Sequence, residues 1–190
     1  MSVVGTNDPT LSVHLKAFIA TGEEMVVGIV GEGSSRELTS LWESPFENET
    51  AGSYFSRIGG IVQAKTGLTS KSTLNTTQVW SGTTPLTFNL VLEFYATADP
   101  ATEVLAAVAA LEKAASPEMR ESMPGGRVPD TVALNVGRQI IYPECVITHV
   151  SKQLDGPISR DGYPLQAQVT LTLQTLASVN KSAISETFRL

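Results

Sequence analysis

Two segments of this chain alternate apolar and polar residues over an unusual length. In Leu86–Tyr95, the residues Leu86, Phe88, Leu90, Leu92 and Phe94 fall on one face, and Thr87, Asn89, Val91, Glu93 and Tyr95 on the other. In Leu165–Gln174, Leu165, Ala167, Val169, Leu171 and Leu173 alternate with Gln166, Gln168, Thr170, Thr172 and Gln174. A period of two marks a strand with one buried face. At about 3.3 Å per residue the first strand spans roughly 30 Å, nearly twice the usual length. Burying its five large side chains contributes on the order of 10 kcal/mol before conformational entropy is set against it.

The same pattern organises the rest of the chain. Leu11–Ile19 alternates, with Leu11, Val13, Leu15, Ala17 and Ile19 opposite Ser12, His14 and Lys16. A turn at Thr21-Gly22-Glu23-Glu24 and an apolar run Met25–Val30 complete a predicted hairpin. The glycines from Gly28 to Gly33 end it, and Glu37–Trp42 predicts a short strand. Glu43–Ala51 reads as a loop. Tyr54, Phe55, Ile58, Ile61 and Val62 recur at helical spacing, predicting a short helix over Ser53–Lys65. Gly59-Gly60 opposes it, at about 1 kcal/mol per glycine. Thr66–Thr77 is Ser/Thr-rich and reads as an exposed loop.

Asp99-Pro100 opens a second helix: Asp99 is the N-cap, Pro100 the first helical position, and Glu103 lies in the first turn. Val104, Leu105, Val108 and Leu111 form its apolar stripe, and four alanines keep the surface small enough for close packing on a sheet. It ends near Ala115, before Ser116-Pro117. A linker over Pro117–Pro129 leads to strands Thr131–Val136, Gln139–Tyr142 and Glu144–Gln153, the first two joined by a tight turn at Gly137. Asp155-Gly156-Pro157 and Arg160-Asp161-Gly162 form the loop before the last long strand. The order is hairpin, helix, strand, helix, meander, which defines a β-dominated α+β fold with antiparallel strands.

Composition narrows the function. A chain of 190 residues with 42% hydrophobic content suits one domain with a real core. Charged residues are only 17% of it, below the globular average, which suits surfaces buried between subunits. The net charge of −6 and scattered Lys and Arg disfavour a nucleic-acid groove. A mildly acidic surface can still line a conduit that DNA passes without sticking. The first ten residues have neither the basic nor the apolar region of a signal peptide, and no apolar run reaches the roughly 18 residues of a membrane span.

Catalytic constellations are not legible. Cys145 is the one cysteine, set in an apolar run as a buried, inert thiol. His149 shares its predicted strand face, but four residues along a strand is about 13 Å, too far to activate it. His14 and His149 belong to no metal-ligand motif. The run from Gly28 to Ser35 has phosphate-loop glycine spacing but carries Ser34 where Lys is needed, and Arg36 where a dinucleotide loop needs glycine. It reads as a flexible turn between strands. Ser178-Val179-Asn180-Lys181 matches Ser-x-x-Lys without its companion motifs. Trp42 and Trp80 read as core or subunit contacts rather than a ligand platform. The sequons at Asn48, Asn75 and Asn180 read as chance matches. Catalytic, cofactor and metal residues are therefore expected to be none.

The succession over roughly residues 80–178 is a long strand, an Asp-Pro-capped helix, a Pro-rich linker, two shorter strands, and Gly162-Tyr163-Pro164-Leu165-Gln166-Ala167-Gln168-Val169 opening the final strand. It resembles the tube-like proteins of contractile phage tails and related injection machines, and is most similar to the baseplate proteins that cap or initiate the tail tube. The resemblance implies a tail-tube-like antiparallel β-sandwich or barrel with a flanking α-helix. It implies a single domain over 1–190, less regular over about 1–75, with a tube-like core over about 76–178. It implies a non-catalytic homohexameric ring without cofactors, joining the tail tube to baseplate hub or wedge proteins. Such a ring belongs to the virion's baseplate region and assembles in the host cytoplasm. It has no membrane anchor, and DNA passes its lumen without specific contacts. The tail tube protein itself and an accessory tube-to-wedge clamp stay open, as does a ligand-binding β-barrel from a different class.

Overall fold

The computed structural model describes residues 2–6, 15–43, 78–119 and 126–188. The strands in chain order are β1 (Ser2–Gly5), β2 (Lys16–Ala20), β3 (Glu24–Val30), β4 (Ser35–Glu37), β5 (Ser40–Glu43), β6 (Val79–Thr83), β7 (Thr87–Tyr95), β8 (Val132–Val136), β9 (Ile140–Lys152) and β10 (Gln166–Thr175). Helix α1 winds as a π-helix over Ala101–Leu105 and continues as an α-helix over Ala106–Ala115; α2 is Lys181–Thr187. The chain forms two compact units, Met1–Leu38 with Pro85–Leu190, and Thr39–Thr84.

In the larger unit six strands close an antiparallel barrel in the order β3–β2–β8–β9–β10–β7 and back to β3. β1 adds to β3 in parallel, and β4 runs antiparallel along β7. This is the β-dominated barrel with a flanking helix that the alternation predicts. The two long strands pair with each other along their length, setting Phe94 opposite Ala167, Leu92 opposite Val169, Leu90 opposite Leu171 and Phe88 opposite Leu173. All eight are buried, so side chains fill the interior between these strands.

The seam that closes the barrel is short. β3 meets β7 only at Ile29–Glu93 and Val30–Leu92, extended by the Gly31 N–H donating to Val91 O at 2.7 Å. Close approach there depends on Gly28, where an added Cβ would stand 3.2 Å from two ring carbons of Phe94. Two buried threonines clamp the ends of β7. The Thr6 hydroxyl accepts the Tyr95 N–H at 2.7 Å and donates to Tyr95 O at 3.2 Å. The Thr175 hydroxyl accepts the Leu86 N–H at 3.0 Å and donates to Ala177 O at 2.8 Å.

Helix α1 packs on β9, β3 and β1. Its start follows the sequence: Asp99 Oδ1 accepts the Ala101 N–H, and Asp99 Oδ2 accepts the Thr102 hydroxyl at 2.6 Å. Glu103 folds back, its Oε2 accepting the N–H groups of Thr97, Ala98 and Asp99. The buried stripe is Val104, Ala107, Val108, Ala110, Leu111 and Ala114, spaced for one helical face. Leu105, expected in that stripe, is exposed, because the alanines hold the sheet-facing positions.

Two further expectations are corrected. The segments Gln139–Tyr142 and Glu144–Gln153 are one strand, β9, running through Pro143. Pro143 fits because the β8–β9 register slips there: Leu134 pairs with Tyr142, and Val132 with Cys145. The bulge asks no ladder N–H of it, and pairing with β10 begins only at Cys145. The predicted strand Glu37–Trp42 is divided between β4 and β5, which belong to different units. Helix α2 was not predicted. The tight turn at Gly137 is present, with left-handed Gly137 and Arg138 and the Arg138 N–H on Asn135 Oδ1. The predicted strand positions 11–14 with His14, the loop over 44–51, the Ser53–Lys65 helix and the Thr66–Thr77 loop lie outside the described residues.

Candidate functional site

The smaller unit presents an antiparallel ribbon of β5 and β6 in which Trp42 pairs with Trp80. The register shifts between Leu41 and Trp42, which sets Trp42 and Trp80 at directly opposed backbone positions. Trp80 Nε1 donates to Ser40 Oγ at 3.1 Å, and the Thr84 N–H donates to Thr39 O at 3.0 Å. Trp42 is 56% and Trp80 55% exposed, and Leu41 and Val79 are exposed beside them. These tryptophans are therefore not core residues, and they form an apolar patch on the ribbon.

The barrel presents a different surface. Outward positions of β7 and β10 pair Gln166 with Tyr95, Gln168 with Glu93, Thr170 with Val91 and Thr172 with Asn89. Hydroxyls and amides link across it: the Thr172 hydroxyl donates to Asn89 Oδ1 at 3.1 Å, and Asn89 Nδ2 donates to Glu37 Oε1 at 3.2 Å. The Tyr95 hydroxyl donates to Glu93 Oε2 at 2.8 Å; that bond, with burial and the carboxylate's charge, raises the phenol above its ordinary value. Glu93 is the one charged residue among these outward positions.

The residues singled out by their chemistry do not converge. Cys145 is fully buried, and burial pushes its thiol up to about 11. His149 is exposed on β9, paired with Thr172. Among the described residues no three His, Cys, Asp or Glu side chains gather to hold a metal, and no helix is long and apolar enough to cross a membrane. The glycine-rich turn after β3 is pinned rather than loose: the Ser34 hydroxyl accepts the Val91 N–H at 3.0 Å and donates to Gly31 O at 2.9 Å.

One cluster escaped sequence reasoning. Arg36 on β4 pairs in register with Phe88, so its side chain shares the inward face. Its Nη2 donates to the Tyr142 hydroxyl at 2.8 Å, and its Cζ lies 4.8 Å from the Phe188 ring centroid and 5.8 Å from that of Tyr142. The Thr187 hydroxyl also reaches the Tyr142 oxygen at 3.2 Å, and the Tyr142 ring packs tilted on Phe88 at 5.0 Å. Nothing in Ser35-Arg36-Glu37 signals this arrangement, because its partners lie more than a hundred positions away.

Fold and surfaces together define a closed antiparallel β-barrel protein with a flanking helix and an exposed aromatic ribbon. Compared with known proteins, the chain matches no family model and no curated protein.

Proposed function

We propose that this chain is a non-catalytic virion structural protein that forms a homohexameric ring at the junction of tail tube and baseplate of a contractile tail. The observation that carries this reading is the β5–β6 ribbon with its exposed Trp42 and Trp80. A two-stranded ribbon is marginal in water, and a solvent-facing tryptophan pair gains most by burial against another surface. Tryptophan is also the residue most enriched where interfaces concentrate their binding energy. The barrel with its flanking helix and the nearly uncharged outer face of β7 and β10 support the same reading, since an amide and hydroxyl face suits a subunit contact or a wet lumen.

The partners expected are further copies of the chain, the tail tube, and hub or wedge proteins. A tail tube protein or a tube-to-wedge clamp uses the same surfaces and differs only in its place along the axis. Sedimentation velocity of the full chain over a range of concentrations tests the reading. The wild type should form a discrete six-subunit species. Replacing both tryptophans (Trp42→Ser with Trp80→Ser) should raise the concentration needed by about tenfold or more, leaving barrel stability unchanged. A wild type monomeric at every concentration, or a double variant that assembles equally well, overturns it.

A further inference from the structure

We propose that the barrel mouth between the β3–β4 turn, β7 and the β8–β9 hairpin binds a small monocarboxylate with a compact apolar body, with Arg36 holding the carboxylate. A cavity of about 410 Å³ opens there, walled by Leu15, Val30, Phe88, Leu90, Val136 and Ile140. That is within the range of small-molecule sites, which combine an apolar wall with a few placed polar groups. The polar group here is unusual. Arg36 lines the cavity from an inward-facing strand position, where an apolar side chain is the rule. Its described contacts are one hydroxyl and two aromatic rings, none of which neutralises its charge. Its Nε–H is buried with no acceptor, which leaves the guanidinium short of a hydrogen-bond partner as well as of a counter-charge.

The charge pattern selects the ligand. The Tyr142 hydroxyl takes one of the five guanidinium N–H groups and Nε–H is buried, so the N–H groups left on Nη1 and Nη2 are the ones that can meet a ligand oxygen. Glu32 stands on the same rim, so one cation faces one anion before any ligand arrives. A dianion such as a phosphate monoester would be repelled by Glu32 more strongly than a monocarboxylate, which hydrogen-bonds Arg36 with a single charge and lays its apolar body against the wall.

Titration of the full chain with octanoate tests this, with 1-octanol and octylamine as neutral and cationic counterparts of the same length. The readouts are the binding isotherm and the ¹H–¹⁵N signal of the arginine Nε–H groups. Octanoate should saturate at millimolar concentration or below, shift one Nε–H signal, and bind about tenfold more tightly than octanol. Arg36→Gln should remove that advantage, and Leu15→Trp, which fills the mouth at an exposed position, should weaken both ligands. If Arg36→Gln does not fold, the Nε–H shift and the Leu15→Trp variant decide the matter. Equal binding of octanoate and octanol, an unmoved Nε–H signal, or no saturable binding overturns the proposal. Arg36 would then be an inward charge that only keeps β4 from pairing with other edges.

Discussion

Replacing Thr175 by valine would remove two hydrogen bonds while conserving shape and volume. The Thr175 hydroxyl holds the Leu86 N–H at 3.0 Å and Ala177 O at 2.8 Å, where Leu86 is fully buried and Thr175 only 6% exposed. Valine can satisfy neither group, and water has little access to the Leu86 N–H. Ala177 is exposed and its carbonyl can turn to water, so the cost falls on the stranded Leu86 N–H, about 1–3 kcal/mol. For a chain of this size that is a fall in Tm of roughly 2–12 °C. The control is Thr148→Val, which removes an exposed bond to Thr172 O and should stay within about 0.5 kcal/mol. Urea unfolding of both variants and the wild type, at one protein concentration, measures the difference directly. If Thr175→Val unfolds at the same midpoint as Thr148→Val, the hydroxyl does not clamp the start of β7, and the account of barrel closure fails there.

Three further outcomes follow from the structure. Gly28→Ala should destabilise the barrel by about 1–3 kcal/mol in the same assay, because the new methyl meets the immobile, fully buried Phe94 ring at 3.2 Å; a more stable variant would show that the ring gives way. Cys145, its thiol raised by burial to about 11, should resist iodoacetamide at pH 8 and be labelled only as the barrel unfolds, so rapid labelling of the folded chain would contradict its placement. Asp99 is held below its ordinary 3.8 by the Thr102 hydroxyl and then the Ala101 N–H, so its contribution is complete above that value and lost as pH falls through the lower folded one. The difference in Tm between wild type and Asp99→Asn, which keeps a capping oxygen, should therefore hold steady down to about pH 4 and shrink below it; a difference unchanged at pH 2 refutes the contribution of the Asp99 charge.

Much of the barrel was legible because alternation is a local signal. Leu86–Tyr95 and Leu165–Gln174 became β7 and β10 within one residue at each end, since their apolar sets have a single core to face. The Asp99-Pro100 helix start was equally local. Pro143 was misread because a proline forbids a ladder bond only where one is required, and the bulge between β8 and β9 is set by the partner strand. Ring closure was also hidden: it rests on two residue pairs between β3 and β7 and on the hydroxyls of Thr6 and Thr175, which nothing nearby distinguishes from surface threonines. The exposure of Trp42 and Trp80 was not legible either, because a tryptophan beside a strand end looks the same whether it faces a core or a partner. Arg36 illustrates the limit most clearly, since its environment is assembled from β4, β9 and the C-terminal segment.

We propose that the chain works as a ring subunit of a contractile tail. Cryo-electron microscopy of the assembled chain, alone and on particles purified with it, tests this most directly. Six copies are expected around one axis, at the end of the tail tube next to the baseplate, with Trp42 and Trp80 buried against another subunit. Dispersed monomers in both preparations, or a ring that leaves the β5–β6 ribbon bare in solvent, would contradict it.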